Sequence, residues 1–280
     1  ELRYEYQALG AGPATLKAVA DGRVAFAETL AKAARPMVIV GQGALARPDG
    51  AAVLSMAARI AADCGAITED WNGFAVLHTA ASRVGGLDIG FVPGAGGRSA
   101  REMLGALKVV FLLGADELDM SAKGETFVVY VGSHGDAGAH GADVILPAAA
   151  YTEKSATYVN TEGRVQRTAR AGFAPGEARE DWAILRALSD VLGKKLPYDS
   201  LAALRAAMIA AHPHLGAIGA VAAADPGAIA AVAKKGGAVG DEPFASTVKD
   251  FYLTNPIARA SAVMAECSAL AAEGFRHAAE

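Results

Sequence analysis

Several short stretches of this chain carry residue types at spacings that suit chemistry. Gly41-Gln42-Gly43-Ala44-Leu45-Ala46 follows an apolar run and fits G-x-G-x-x-A, whose glycines let the backbone approach a pyrophosphate at a helix N-terminus. Asp63 lies near the distance at which a ribose-binding acid is expected. Arg47-Pro48-Asp49 intervenes, however, so the next helix is expected to start at Asp49 and point away from the glycines. A tight strand-to-helix turn is therefore preferred to a nucleotide site. Gly94-Ala95-Gly96-Gly97-Arg98, after Pro93, has the composition of an anion nest, though a flexible connection explains it more simply. Ser133-His134-Gly135-Asp136-Ala137-Gly138-Ala139-His140 follows the apolar run Phe127 to Val131. Ligands of open α/β sheets bind at such strand ends, which makes this the best pocket candidate. His134, Asp136 and His140 are metal-ligand types, but a fourth ligand is not evident and Asp136 also fits a helix N-cap.

The remaining reactive types read as structural. His212-Pro213-His214 is a turn with no acid or cysteine at close spacing, so exposed turn histidines are expected. Cys64 and Cys267 lack the neighbouring base that a nucleophile needs. Glu153-Lys154 and Glu162-x-Arg164 place carboxylates near a predicted hairpin, where a solvated or ion-paired loop is the simpler reading. No catalytic constellation emerges, and no residue is assigned a catalytic, cofactor-binding or metal-binding role.

The elements that position these stretches follow from periodicity. The pattern Leu16, Val19, Ala20, Phe26, Leu30 predicts a helix over residues 12–34. Met37 to Val40, between Pro36 and Gly41, suits a strand buried on both faces of a parallel sheet, and residues 49–64 suit a crossover helix. Residues 107–113, 127–131 and 144–146 predict three further buried strands. Glycines crowd the stretch between Trp71 and Arg101, which reads as loop, with a helix resuming near Ser99. Residues 157–161 and 164–168 flank Glu162-Gly163 as a hairpin, and a helix is expected over residues 179–192. From Ser200 the chain is Ala-rich and helical, with turn signals at His212-Pro213, Asp225-Pro226, Gly236-Gly237 and Asn255-Pro256.

Composition bounds the function. The chain has 280 residues, 52% apolar and 20% charged, enough to bury one large core or two modest ones. The formal net charge is −4 and the basic residues are scattered, so nucleic acid is not an expected partner. Two distant cysteines exclude a disulfide framework and a cysteine-built zinc or iron-sulfur site within this chain alone. Mean hydropathy is +0.25. No run of about 18 residues escapes interruption, so no direct membrane insertion is expected. The start Glu1-Leu2-Arg3 has neither an initiator Met nor the pattern of a signal peptide, which suggests a chain that begins partway through a longer protein.

The run from Gly141 through Asp143, Pro147, Tyr151, Glu153-Lys154, Asn160 and Glu162-Gly163-Arg164 to Gln166 resembles the signature of the molybdopterin oxidoreductase superfamily. Further stretches resemble one non-molybdenum branch, the large iron-sulfur subunit family of NADH-quinone oxidoreductase, respiratory complex I, of the alphaproteobacterial and mitochondrial type. They are residues 35–41, Trp71-Asn72-Gly73 with 77–81, 85–90, 130–136, and Phe251 to Ser261 with Met264 to Cys267. This resemblance implies an α/β fold, with a mixed, mostly parallel sheet flanked by helices over residues 1–195 and an Ala-rich helical C-terminal region over 196–280. It implies a scaffold and docking portion with no cofactor in this segment, the iron-sulfur clusters lying in an N-terminal part of the same polypeptide. Its partners would be hydrophilic-arm subunits, including the flavin-containing NADH-oxidising one, on the cytoplasmic face of the bacterial inner membrane or the matrix side in mitochondria. The rival implied by the shared signature is a working molybdopterin enzyme of the formate dehydrogenase type.

Overall fold

In the computed structural model of the chain, residues 4–80 and 83–277 are described, with side chains as far as residue 273. The strands are β1 Val38–Gly41, β2 Phe74–Leu77, β3 Val109–Leu113, β4 Phe127–Gly132, β5 Val144–Pro147, β6 Thr157–Val159 and β7 Val165–Arg167. The helices begin with α1 Pro13–Ala20, α2 Ala25–Lys32, α3 Gln42–Leu45, α4 Gly50–Asp63, α5 Arg83–Asp88 and α6 Ala100–Met103. They continue with α7 Ala137–His140, α8 Asp181–Val191, α9 Leu201–Ala211, α10 Pro226–Ala233, α11 Pro256–Arg259 and α12 Ala262–His277. Two compact units share these elements: Glu1–Val84, Val159–Arg164 and Ala220–Thr247 in the first, and Gly85–Tyr158, Val165–Gly219 and Val248–Glu280 in the second.

In the first unit, the single helix expected over residues 12–34 is two. Gly22 takes φ +68°. The Arg23 N–H then donates to the Ala18 carbonyl (2.8 Å) and the Gly22 N–H to that of Val19 (3.1 Å). This bonding satisfies the last carbonyls of α1 and turns the chain out of the helix, a local stop that apolar spacing alone does not register. β1 pairs in parallel with β2, from Val38 opposite Phe74 to Gly41 opposite Leu77. β2 lies in the stretch read as loop, four apolar residues hidden among glycines. β1 is covered on one face only, with Val40 buried and Ile39 53% exposed, which corrects the expectation of two buried faces. α4 starts and stops within a residue of expectation and buries Ala52, Val53, Ala57, Ala58, Ile60 and Ala61. This row of small residues lets α1 and α10 pack against it.

In the second unit, β3, β4 and β5 form a parallel sheet in that order, with Leu112 opposite Tyr130 and Tyr130 opposite Ile145. Only the middle strand is buried on both faces. Val128 and Tyr130 pack with Leu104, Val110, Leu112 and Ala139 on one side, and Val129 and Val131 with Ala148 on the other. The outer strands alternate or face out, as Val109, Phe111 and Leu113 of β3 do, because each has cover on one side only among the described residues. The helix expected near Ser99 is α6, whose start is tied by Glu102 accepting the Ser99 N–H (2.8 Å). The predicted hairpin is β6–β7.

Candidate functional site

The carboxyl end of β3-β4-β5 is built from two loops. The first, after β3, carries Asp116 and Glu117; the second, Ser133 to Asp136, leads from β4 into the four-residue α7. Asp116 is only 3% exposed. Its Oδ2 lies 2.7 Å from the Tyr130 hydroxyl, and its Oδ1 accepts the Gly138 N–H (3.2 Å). The same hydroxyl lies 2.7 Å from the His134 carbonyl, so its one proton serves two acceptors. Burial, then the Asp116 carboxylate, pushes the Tyr130 phenol far above its ordinary pKa, which leaves it neutral and structural.

The mouth of these loops is closed from far along the chain. Arg259, at the end of α11, pairs through Nε with Asp136, places Nη2 3.1 Å from Glu117 Oε1, and donates from Nη1 to the Leu253 carbonyl (3.2 Å). Asn255 fixes α11 by accepting the Ala258 N–H (2.9 Å). Asp136 holds the N-cap position of α7, but its carboxylate goes to Arg259 instead of to the helix amides. His140 is exposed, and His134 Nδ1 lies 3.0 Å from its neighbour Ser133 Oγ. Among the described residues, no three His, Cys, Asp or Glu side chains gather in a metal-holding group.

The glycine loop of the first unit is filled in the same way. A Cβ on Gly43 would stand 3.1 Å from the Ala245 carbonyl oxygen and 3.2 Å from Thr247 Cγ2, so the close approach this glycine permits is used by the chain itself. Asp49 accepts from Arg47 Nε (2.7 Å), Arg47 Nη2 (2.9 Å) and the Gly240 N–H (2.7 Å). The guanidinium, then the amide, holds this carboxyl far below the usual range. Arg47 also donates to the carbonyls of Glu242 and Pro243 and lies 5.2 Å from the Phe244 ring centroid. Asp63 sits at the other end of α4, about 20 Å from Asp49 at helical rise, too far to serve a ligand at the glycines.

The other reactive types have local partners. Gly97 N–H donates to the Gly94 carbonyl (2.8 Å), so Gly94 to Arg98 is a closed turn on the surface. Lys154 pairs with Asp181, and Glu153 Oε2 accepts the Ala150 N–H (2.9 Å). Asn160 Oδ1 accepts the Glu162 and Arg164 amides, both at 3.0 Å, and shapes the hairpin turn. Lys123 stands 2.7 Å from Asp143, which also accepts the Val128 N–H (2.7 Å). His214 Nε2 is 3.4 Å from Asp88, an acid that sequence spacing does not place there. Burial pushes the Cys64 thiol up, away from thiolate chemistry. Sequence reasoning misses the roles of Asp116, Glu117 and Arg259; the one available signal is the Asn255-Pro256 helix start.

Comparisons with known proteins agree with this architecture. The family model described as molybdopterin oxidoreductase matches residues 1–191, and the one for the C-terminal segment of the G subunit of NADH-ubiquinone oxidoreductase matches residues 220–267. The chain is 43% identical over 275 residues to the NADH-ubiquinone oxidoreductase 75 kDa subunit of Reclinomonas americana, covering 96% of this chain and 39% of that protein. It is 41% identical over 276 residues to the mitochondrial NADH dehydrogenase [ubiquinone] iron-sulfur protein 1 of Solanum tuberosum, covering 96% and 36%. Against the mitochondrial NADH-ubiquinone oxidoreductase 78 kDa subunit of Neurospora crassa it is 42% identical over 278 residues, covering 95% and 36%. The chain thus spans less than two fifths of the length of these curated relatives.

Molybdopterin is an anionic, phosphate-bearing pterin, and the two strand-end loops do not fit such a group. One presents two carboxylates, Glu117 and Asp136, against the single guanidinium of Arg259, a net negative group that repels phosphate; in the other, Gly43 is covered by Ala245 and Thr247, and Arg47 is spent on Asp49 and two carbonyls. The chain belongs to the molybdopterin oxidoreductase family, and residues 220–267 carry a C-terminal segment of the NADH-ubiquinone oxidoreductase kind.

Proposed function

We propose that this chain is the structural and docking portion of the iron-sulfur subunit of a proton-translocating NADH:quinone oxidoreductase. The observation that carries the reading is the 41–43% identity to three such subunits over nearly the whole chain, joined to the C-terminal segment match at residues 220–267. In that assembly, electrons pass from NADH through FMN and iron-sulfur clusters to quinone. The clusters lie in parts of the polypeptide outside these residues, and this segment carries no redox centre of its own. Its partners are the other hydrophilic-arm subunits, the flavin-containing one among them. The arm sits on the cytoplasmic face of a bacterial inner membrane, or on the matrix side in a mitochondrion. Among the described residues, no helix is long and apolar enough to cross a membrane, in keeping with a peripheral place.

The residues themselves supply rigidity. Asp116 and Tyr130 spend their polar atoms on each other and on nearby backbone at the carboxyl end of the sheet, where open α/β sheets commonly receive ligands, while Asp143 ties its amino end and Asn160 the hairpin turn. The test is joint analysis of iron, FMN, molybdenum, tungsten and pterin in the full-length protein purified with its native partners. Iron and FMN without molybdenum, tungsten or pterin is the expected result. Pterin with molybdenum or tungsten would overturn the reading in favour of formate dehydrogenase-type chemistry.

A further inference from the structure

We infer that the C-terminal segment from Gly240 to Ser261 is the internal occupant of both strand-end loops, latched by one arginine at each, so that the chain fills with its own atoms the places a phosphate-bearing ligand would take. In the first unit the latch is Arg47. It is held in a two-pronged pair by Asp49 and donates to the Glu242 and Pro243 carbonyls, while Asp49 accepts the Gly240 amide and Ala245 and Thr247 lie over Gly43. In the second unit the latch is Arg259, which joins Asp136 and Glu117 and ties itself to the Leu253 carbonyl.

Three features make this more than incidental packing. Both latches act at loops leaving the carboxyl ends of parallel strands, β1 in one unit and β4 in the other, where ligand sites of such sheets form. Both use charge-assisted hydrogen bonds, Arg47 with two to the Asp49 carboxylate and Arg259 with one each to Asp136 and Glu117. Both are contributed by, or grip, a segment inside residues 220–267, the stretch matched as a C-terminal segment of NADH-ubiquinone oxidoreductase. Further ties come from the Phe244 N–H, which donates to the Ala11 carbonyl (3.4 Å), and from Asp250, which accepts from the Ser268 hydroxyl. The segment has no regular structure between α10 and α11, and α11 is four residues long. The inference rests on family membership and geometry, not on which assembly the chain joins.

Hydrogen exchange read by mass spectrometry tests it, on the full-length protein in the assembly with which it purifies. In the wild type, the Gly240 amide and the Ala258 to Ser261 amides, all hydrogen-bonded, are slow. Arg259→Ala is expected to speed exchange over residues 250–261 about tenfold, the size of losing a charge-assisted hydrogen bond, while the β4 amides stay protected. Arg47→Ala is expected to do the same over residues 240–247. The swap of Arg259→Asp with Asp136→Arg should restore most of the protection. Should Arg259→Ala also expose β4, Arg259→Lys decides, with a few-fold rise confined to residues 250–261 expected. Unchanged exchange over 250–261 in an Arg259 variant with β4 intact overturns the inference, as does saturable binding of inorganic pyrophosphate by the wild type that speeds exchange over 240–261.

Discussion

Tyr130 is a phenol used as a structural strut. Its ring packs in the core of the second unit and its hydroxyl is the nearest donor to a carboxylate oxygen that is almost completely buried. Tyr130→Phe keeps the ring but leaves Asp116 Oδ2 without that donor, and an unmet buried polar group costs about 1–3 kcal/mol. Urea unfolding of the variant should show a lower midpoint at unchanged m-value; equal midpoints would refute this role. The pair is not legible in the sequence. Tyr130 is visible there as part of a buried strand, but Asp116 lies in another loop and meets it only because β3 and β4 stand side by side. Arg259 and Asp136 are further apart still, 123 residues. Spacing rules see partners within a helical turn or a hairpin, so long-range pairs of this kind escape them.

At the scale of elements, α4 is legible because several signals agree: small apolar residues at helical spacing, Asp49 before the start and Gly65 after the end. Its partner α10 is marked by Asp225-Pro226, and Asp225 does cap it by accepting the Gly227 N–H (2.8 Å). What ties the two together is hidden. Ser55, 2% exposed on α4, donates to the Ala233 carbonyl (2.9 Å) and accepts the Gly236 N–H (2.8 Å), closing the end of α10. Ser55→Ala removes this partner from the half-buried Ala233 carbonyl and the exposed Gly236 amide. The cost should reach about 1 kcal/mol, the net size of ordinary hydrogen bonds that water can partly replace, with faster amide exchange concentrated in residues 226–237. A loss spread evenly over the first unit, or no loss, would contradict a capping role. β2 and the break between α1 and α2 escape notice for the opposite reason, since four residues and one Gly carry too little pattern to stand out from their surroundings.

Across the whole molecule, the α/β class and the parallel strands are legible from apolar runs closed by Gly or Pro. The sharing of the Ala-rich tail, with α10 in the first unit and α11 and α12 in the second, is not, because helical propensity says nothing about where a helix docks. Polar contacts do much of that fixing, and they have a common electrostatic sign. Asp49 and Asp21 in the first unit, and Asp143, Asp190 and Asp250 in the second, are all held below the ordinary carboxylate pKa. The chief cause is an arginine or lysine beside four of them, and the Ser268 hydroxyl beside Asp250. Exposed pairs contribute little, but Arg47 and Asp49 are only 13% and 16% exposed and so are screened less. Because the folded pKa values lie below the unfolded one of about 3.9, the unfolded chain binds more protons between them. This stability is therefore complete at neutral pH and lost as pH falls through the folded values. Thermal melts followed by circular dichroism should give a Tm that is flat from about pH 7 to pH 5 and falls steadily below about pH 4. Asp49→Asn should flatten that fall while lowering Tm at pH 7. A Tm unchanged down to about pH 3 would mean that these carboxylates contribute no more to the folded chain than to the unfolded one.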